Sequence, residues 1–481
     1  MSGRDIIALL PLVITGYGAV ALLVVGAFWR SHRAVSVICM MVLVAAAGSI
    51  LLIPMEPRAV TPLLRVDLFG YAYMLLFLLG GAAVAILSHD YLGRREGGSE
   101  KYYALLLLAT LGMLTLVASD HFVSFFLGLE VLSVSLYGLI AYSVRRPASL
   151  EAGMKYLVLA GAGLAFVLLG MALVYSEFGT MAFGPLRERL AGAAGDPSQL
   201  VSLGIALIIV GFGFKLAAVP FHTWAPDVYQ GAPAPVSALV ATGSKAAVFA
   251  LLIRFAQVIG LDQKASLFLL VEVLAIITMF GGNLLALVQR NIKRLLAYSS
   301  IAHMGYLFIP LLAGGTEGVS SITFYFVAYF ITTIGAFGVV SVLSAGGEEM
   351  EDLEDYQGLG LRRPWLGAAL ALMMLSLAGI PLTVGFMAKL FIFAAAAQAH
   401  LWLLLVIGVL NSGVAAYYYL RVLAALYLRP AREGMTWPPA RAASAVCLVA
   451  LTALLIFFGV YPTPLISLTR EVAAALPMAW P

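Results

Sequence analysis

Five side chains that titrate or carry charge sit inside long apolar runs of this sequence. Glu130 lies in Phe125-Phe126-Leu127-Gly128-Leu129-Glu130-Val131-Leu132, and Lys215 stands five residues before Pro220. Lys245 lies in Thr242-Gly243-Ser244-Lys245-Ala246, His303 in a later apolar run, and Lys389 shortly after Gly379-Ile380-Pro381. Placing an ionisable group at bilayer depth costs on the order of 2.5–3.5 kcal/mol on insertion scales, and such groups are as a rule functional. The chemistry they suit is proton movement. A low-dielectric interior favours the neutral amine of a lysine, and a nearby carboxylate restores the ammonium. Histidine already titrates close to neutral pH. Groups of this kind, linked by water and by hydroxyls such as Ser244, Ser299, Ser300 and Tyr137, can hand a proton along in steps. His222, two residues past Pro220, and His303 are secondary members. A bland reading competes: a single intramembrane histidine is more often a satisfied structural residue, and a lysine near a span end snorkels to the interface. Lys155, Lys293 and Arg294 are expected to snorkel. Glu130, Lys215, Lys245 and Lys389, all at central depth, together point to function.

Other chemistries find little support. Cys39 and Cys447 cannot supply the ligands of an iron–sulfur cluster or a zinc site. Gly211-Phe212-Gly213 and Gly161-Ala162-Gly163 read as small-residue helix contacts. Gly243-Ser244-Lys245 lacks the upstream glycine of a phosphate loop. Nothing resembles a nucleophilic triad. The expectation is a chain that binds no metal, cofactor or nucleic acid itself.

The elements that must hold these residues are membrane spans. The chain has 481 residues, 62% hydrophobic and 11% charged, with mean hydropathy +1.01. So few charges leave the lipid bilayer as the only suitable solvent. About 20 apolar residues make a span, which predicts an all-α protein of about 14 transmembrane helices. Their approximate ranges are 6–28, 34–54, 68–88, 101–118, 121–143, 153–178, 200–220, 234–257, 266–288, 292–313, 319–344, 364–397, 401–427 and 442–468. The first is long for a signal peptide and lacks a clear cleavage site, so it counts as a span. The acidic run Glu348-Glu349-Met350-Glu351-Asp352 reads as a solvated loop. Loops after odd-numbered spans carry Arg30, Arg33, Arg94, Arg95, Arg145, Arg146, Arg290, Lys293, Arg294, Arg362, Arg363, Arg429 and Arg432; the other loops carry fewer cations. That bias makes the odd loops cytoplasmic and puts both termini on the outer side.

Two spans are interrupted by proline in a similar way. The seventh reads Gly213-Phe214-Lys215-Leu216-Ala217-Ala218-Val219-Pro220-Phe221-His222, and the twelfth reads Leu377-Ala378-Gly379-Ile380-Pro381-Leu382-Thr383. Proline frees a backbone carbonyl, which a membrane protein tolerates only beside protein or a wet cavity. Breaks five spans apart predict two inverted five-helix repeats with discontinuous helices 7 and 12. The divisions are residues 1–100 for the first three helices, 101–257 for the first repeat, 258–427 for the second and 428–481 for a last helix.

The stretch KLAAVPFHTWAPDVYQGAPAPV, Lys215 to Val236, resembles the signature of the antiporter-like subunits of respiratory complex I, the NADH:quinone oxidoreductase. The resemblance runs over essentially the whole chain. It includes Gly128-Leu129-Glu130, the run Lys293 to Tyr306, and Asp352 to Gly360. It implies proton translocation without a redox centre on this chain, with quinone and NADH used elsewhere in the assembled complex. Carried over by motif, Glu130 and Lys215 match the family's charged pair, with side chains expected within about 4–6 Å or joined through water. Lys245 matches the central lysine and Lys389 the terminal residue of the relay, a glutamate in the sister subunit M. The long lateral helix of subunit L is not expected here. Ser135 stands where many relatives have proline, and Gln230 where relatives often carry glutamate. The implied partners are the membrane-arm subunits J, K, L and M in a bacterial inner membrane. A multi-subunit cation/proton antiporter, a membrane hydrogenase and a coenzyme-F420-dependent complex would use the same residues.

Overall fold

Inside hydrocarbon every backbone N–H and C=O must find its partner within the chain, so apolar runs of this length fold as helices. The computed structural model describes residues 3–28, 31–53, 55–93, 100–192, 198–347, 349–432 and 436–476. Arg30, Arg94, Arg95 and Glu348, used above in the charge count and the acidic run, lie outside the described residues. Among those described, 13 helices are long and apolar enough to cross a membrane. The twelfth span completes a set of fourteen as two shorter helices, Pro364–Ala378 and Val384–Gln398. The seventh is also broken. Gln199–Leu216 ends before Pro220, and the chain resumes as a short helix, Trp224–Gly231, before the eighth span, Ala234–Ile259. That second half-helix was not visible as a separate element in the apolar pattern.

Burial sorts the helices into an inner group and an outer ring. The eighth span, the tenth (Ile292–Ala313) and the eleventh (Gly315–Ser344) are 94–100% buried inside the protein, against 22% for the fourteenth, Ala442–Val460. Lys245 and His303 are carried by inner helices. Close helix contacts rest on small residues, as expected in membranes. A Cβ at Gly211 would collide with Val167, and one at Gly170 with the Gly204 carbonyl, so the sixth span (Pro147–Phe178) and the seventh touch backbone to backbone. Gly161, by contrast, faces open space.

Two ionic features hold the ends of the bundle. Asp67 caps the third span (Leu68–Leu92), accepting the Gly70 N–H at 2.8 Å. Arg254 of the eighth span donates to both Asp67 oxygens, at 2.9 and 2.7 Å, and to the Val117 carbonyl at 2.9 Å. In sequence, Asp67 reads as a loop acid and Arg254 as a span-end cation, so nothing there announces the pair. The second feature corrects an expectation. The acidic run is solvated only in part: Asp352 is exposed, but Glu349 and Glu351 have side chains only 6% and 14% exposed. Arg146 pairs with both, and Glu351 also accepts from Asn291 at 3.0 Å and Gln230 at 3.3 Å. Lys293 does not snorkel either. It is fully buried and donates to the Ala232 carbonyl at 2.7 Å and to Glu349 at 3.4 Å. Free carbonyls at Ala232 and a folded-back acid make burial cheaper there than a reach to the interface. Lys155 and Arg294 are only part-exposed and share Asp227, at 2.6 and 2.7 Å.

Burial would raise the Asp67 carboxyl, but the Arg254 guanidinium and the Gly70 N–H beside it outweigh that and hold it below the usual carboxylate range. A depressed acid stabilises the fold above its unfolded value, about pH 4, and that contribution is lost as pH falls through the folded value. Asp67→Asn leaves Arg254 buried without its partner and should cost about 3–5 kcal/mol of stability. Thermal unfolding of the detergent-extracted protein should show a lower melting temperature for the variant, and a loss of the wild type's advantage on acidification below about pH 4.

Candidate functional site

Lys215 occupies the last turn of Gln199–Leu216, which stops because Ala217 adopts a left-handed backbone, φ 57°, and Ala218 N–H bonds back to the Gly213 carbonyl at 2.8 Å. Pro364–Ala378 ends the same way, at Gly379 with φ 83°. Each break frees carbonyls, and each is answered from within the protein. Phe214 O accepts the Trp224 indole N–H at 2.9 Å, and Ala378 O accepts the Lys389 ammonium at 2.9 Å. The second break therefore builds part of a lysine site directly. Lys245 is placed differently, by a single π turn, Val240–Ser244, immediately before it. Such bulges recur at functional positions because they rotate the next side chain out of the regular helical register.

All three lysines are buried and rest on neutral oxygens. Lys215 Nζ donates to Ser133 Oγ at 2.6 Å and lies 5.3 Å from the Tyr156 ring centre. Glu130 sits one turn before Ser133 on the fifth span (Phe122–Ile140), half-buried. It acts on Lys215 electrostatically, but the ammonium's hydrogen bond goes to the serine instead. Lys245 Nζ donates to Ser300 Oγ at 2.8 Å, and Ser300 also meets the Tyr229 hydroxyl at 3.2 Å. Lys389 Nζ donates to Ser412 Oγ at 3.0 Å besides Ala378 O.

The groups between the lysines are hydroxyls and one imidazole. Tyr156, beside Lys215, interacts with the Ser244 side chain, next in sequence to Lys245. Ser299, adjacent to Ser300, hydrogen-bonds the Tyr419 hydroxyl, which also meets His303 Nε2 at 3.1 Å. His303 Nδ1 hydrogen-bonds Tyr325. A cavity of about 10 Å³, room for about one water molecule, is lined by His303, Tyr325, Tyr329, Thr332, Ser376 and Lys389. The order along the protein is therefore Glu130, Lys215, Lys245, His303, Lys389. His222 is not joined to it: its buried Nδ1 has no hydrogen-bond partner among the described residues. Ser133, Ser412, Tyr229, Tyr325 and Tyr419 were missed in the sequence. Ser133 was legible in principle, three residues after Glu130 on one helix face, but Tyr325, Tyr419 and Ser412 come from distant helices and carry no local signal.

This is an all-helical membrane protein with a row of buried titratable groups running between two broken helices. A family model described as "NADH:quinone oxidoreductase/Mrp antiporter, TM" matches residues 119–415. Curated relatives called NADH-quinone oxidoreductase subunit N are 44% identical. One, from Ectopseudomonas mendocina (strain ymp), is matched over 98% of this chain and 97% of its own length. Another, from Methylococcus capsulatus (strain ATCC 33009 / NCIMB 11132 / Bath), is matched over 100% of this chain and 97% of its own. A chain of respiratory complex I from Thermus thermophilus superposes with TM-score 0.83 at 36% identity, covering 96% of this chain and 99% of that one. The chain belongs to the family of antiporter-like membrane subunits of NADH:quinone oxidoreductase, on the branch of the subunit N proteins.

The two breaks differ in strain, which gives a paired test. A Cβ at Gly379 would lie 2.8 Å from Lys389 Cδ, in a left-handed backbone that L side chains avoid. Gly379→Ala should lower the melting temperature of the extracted protein and impair whatever Lys389 does. Ala217→Gly removes a left-handed alanine and should be neutral or stabilising by up to about 1 kcal/mol. A destabilised Ala217→Gly would show that the seventh-span turn depends on the alanine methyl.

Proposed function

We propose that this chain is a proton-translocating membrane-arm subunit of an NADH:quinone oxidoreductase, with Glu130, Lys215, Lys245, His303 and Lys389 as its relay. The observation that carries the relay is that three buried ammonium groups are each hydrogen-bonded to neutral oxygens, so any of them can give up its proton without leaving an unpaired carboxylate behind. Charge on Lys245 repels charge on Lys215 and Lys389 through a medium of low dielectric. A proton arriving at one lysine therefore favours release from the next. Lys389 shares the water-sized cavity with His303 and takes the proton that arrives through it. In this reading His222 has no place in the line.

The energy comes from quinone reduction by NADH elsewhere in the assembled complex, and no redox centre is assigned to this chain. The partners are the other membrane-arm subunits, J, K, L and M, in a bacterial inner membrane, with both termini of this chain on the outer side. The repeats run over residues 101–257 and 258–427, after three leading helices in 1–100 and before a last segment, 428–481. Their relation as repeats is supported by the matched left-handed helix ends at Ala217 and Gly379, and the odd offset of five spans makes the second inverted.

Lys389→Met keeps the bulk of the side chain but holds no proton. In assembled complexes it should pump protons several-fold more slowly, with quinone reduction falling too if the two processes are tightly coupled. Lys389→Glu should keep part of the activity, because a carboxylate can also relay. Proton translocation and quinone reduction in membrane vesicles, after a check of assembly, read this directly. Full pumping by an assembled Lys389→Met complex removes Lys389 from the path.

A further inference from the structure

At one end of the bundle lies a cavity of about 390 Å³ that the relay does not use. That size is within the range of small-molecule sites. It opens where the second span (His32–Ile50) ends and the third begins, beneath the short helix Gly3–Ala8. Its polar lining is Arg4, Glu56, Arg58 and Tyr71, whose hydroxyl donates to the Ala8 carbonyl at 3.1 Å, and its apolar wall includes Ile7, Leu52 and Ile53. Arg58 is held in place twice. Its backbone pairs in a two-stranded ribbon, Arg58 against Val66, and its guanidinium meets Asp5 at 3.0 Å. Arg4 and Glu56 are exposed and have no partner among the described residues. Leu51 and Leu52, beside the mouth, are 82% and 76% exposed on this chain.

The charges decide the ligand. Two arginines and one carboxylate, Glu56, line the cavity, and Asp5 outside the lining is paired with Arg58, so the site presents both signs of charge. A singly anionic headgroup would gain from the arginines and be repelled by Glu56. A headgroup that carries phosphate and ammonium together satisfies both signs, with its acyl chains along Ile7 and Leu52. We propose that this cavity binds the headgroup of a zwitterionic phospholipid, with the phosphate on Arg4 and Arg58 and the ammonium on Glu56. Guanidinium is well suited to phosphate because its planar fork matches two oxygens. This inference does not depend on the relay or on the assignment of the complex.

The test uses the protein extracted with whatever subunits accompany it, stripped of lipid in detergent. Dioleoyl phosphatidylethanolamine and dioleoyl phosphatidylglycerol are added in equal amounts, and retained lipid is read by native mass spectrometry. The phosphatidylethanolamine should be retained in preference. Arg4→Gln should lower its retention about tenfold, the loss of one charged hydrogen bond. Glu56→Gln should remove the preference and let phosphatidylglycerol compete. Both residues are exposed and unpartnered, so neither change threatens the fold. Equal retention by wild type and both variants, or a wild-type preference for phosphatidylglycerol, overturns the proposal. So does crosslinking of a photoreactive residue in place of Leu52 to a neighbouring protein subunit rather than to lipid.

Discussion

An ammonium ion inside hydrocarbon must be given oxygen atoms or it will not stay there. Three lysines in this protein meet that condition, and much of the architecture can be read as the means of meeting it. Helices consume their own carbonyls, so a regular bundle offers few. The protein obtains them by stopping the twelfth span at Gly379, which leaves the Ala378 carbonyl for Lys389, and by placing Ser133 and Ser300 across from Lys215 and Lys245. None of these acceptors is a carboxylate. A buried lysine paired with a carboxylate is held in one charge state, because separating the pair is costly. A lysine on a hydroxyl is held in position while its proton stays exchangeable.

The same protein does use tight ionic pairing, but elsewhere. Asp67 and Arg254 lock the third, fourth and eighth spans at one end. The acids Glu349 and Glu351 gather Arg146, Lys293, Asn291 and Gln230 at another point of the bundle. Arg254, Arg146 and Lys293 each have a carboxylate partner, whereas Lys215, Lys245 and Lys389, the lysines of the proposed relay, rest on neutral oxygens. Depth of burial does not draw that line, since Lys293 is as buried as Lys245.

Much of this was legible in the sequence. Span count, the two broken helices and the depth of the lysines follow from apolar run length, proline position and the rarity of charge in such runs. What escaped was tertiary. Lys293 looked like an interfacial cation because it stands at a span end, yet its partner, Glu349, lies 56 residues away in a loop that reads as solvated. The half-helix Trp224–Gly231 was hidden because it is short and amphipathic. Ser133 at the Lys215 ammonium also escaped, since only Glu130 had been paired with that lysine, close by or through water.

The position of His303 between two tyrosine hydroxyls has a consequence of its own. A neutral imidazole is a donor at one nitrogen and an acceptor at the other, so Tyr325 and Tyr419 must point their O–H bonds in a fixed sense, one toward the ring and one away. When a proton enters at one nitrogen and another leaves from the opposite one, every hydrogen in this short wire ends up reversed. In the proposed relay a second proton cannot follow in the same direction until both hydroxyls have swung round and the ring proton is back on its first nitrogen. The line would thus behave like a turnstile that must be reset between passengers, and the resetting takes a flip of the imidazole as well as a rotation of the tyrosine hydroxyls.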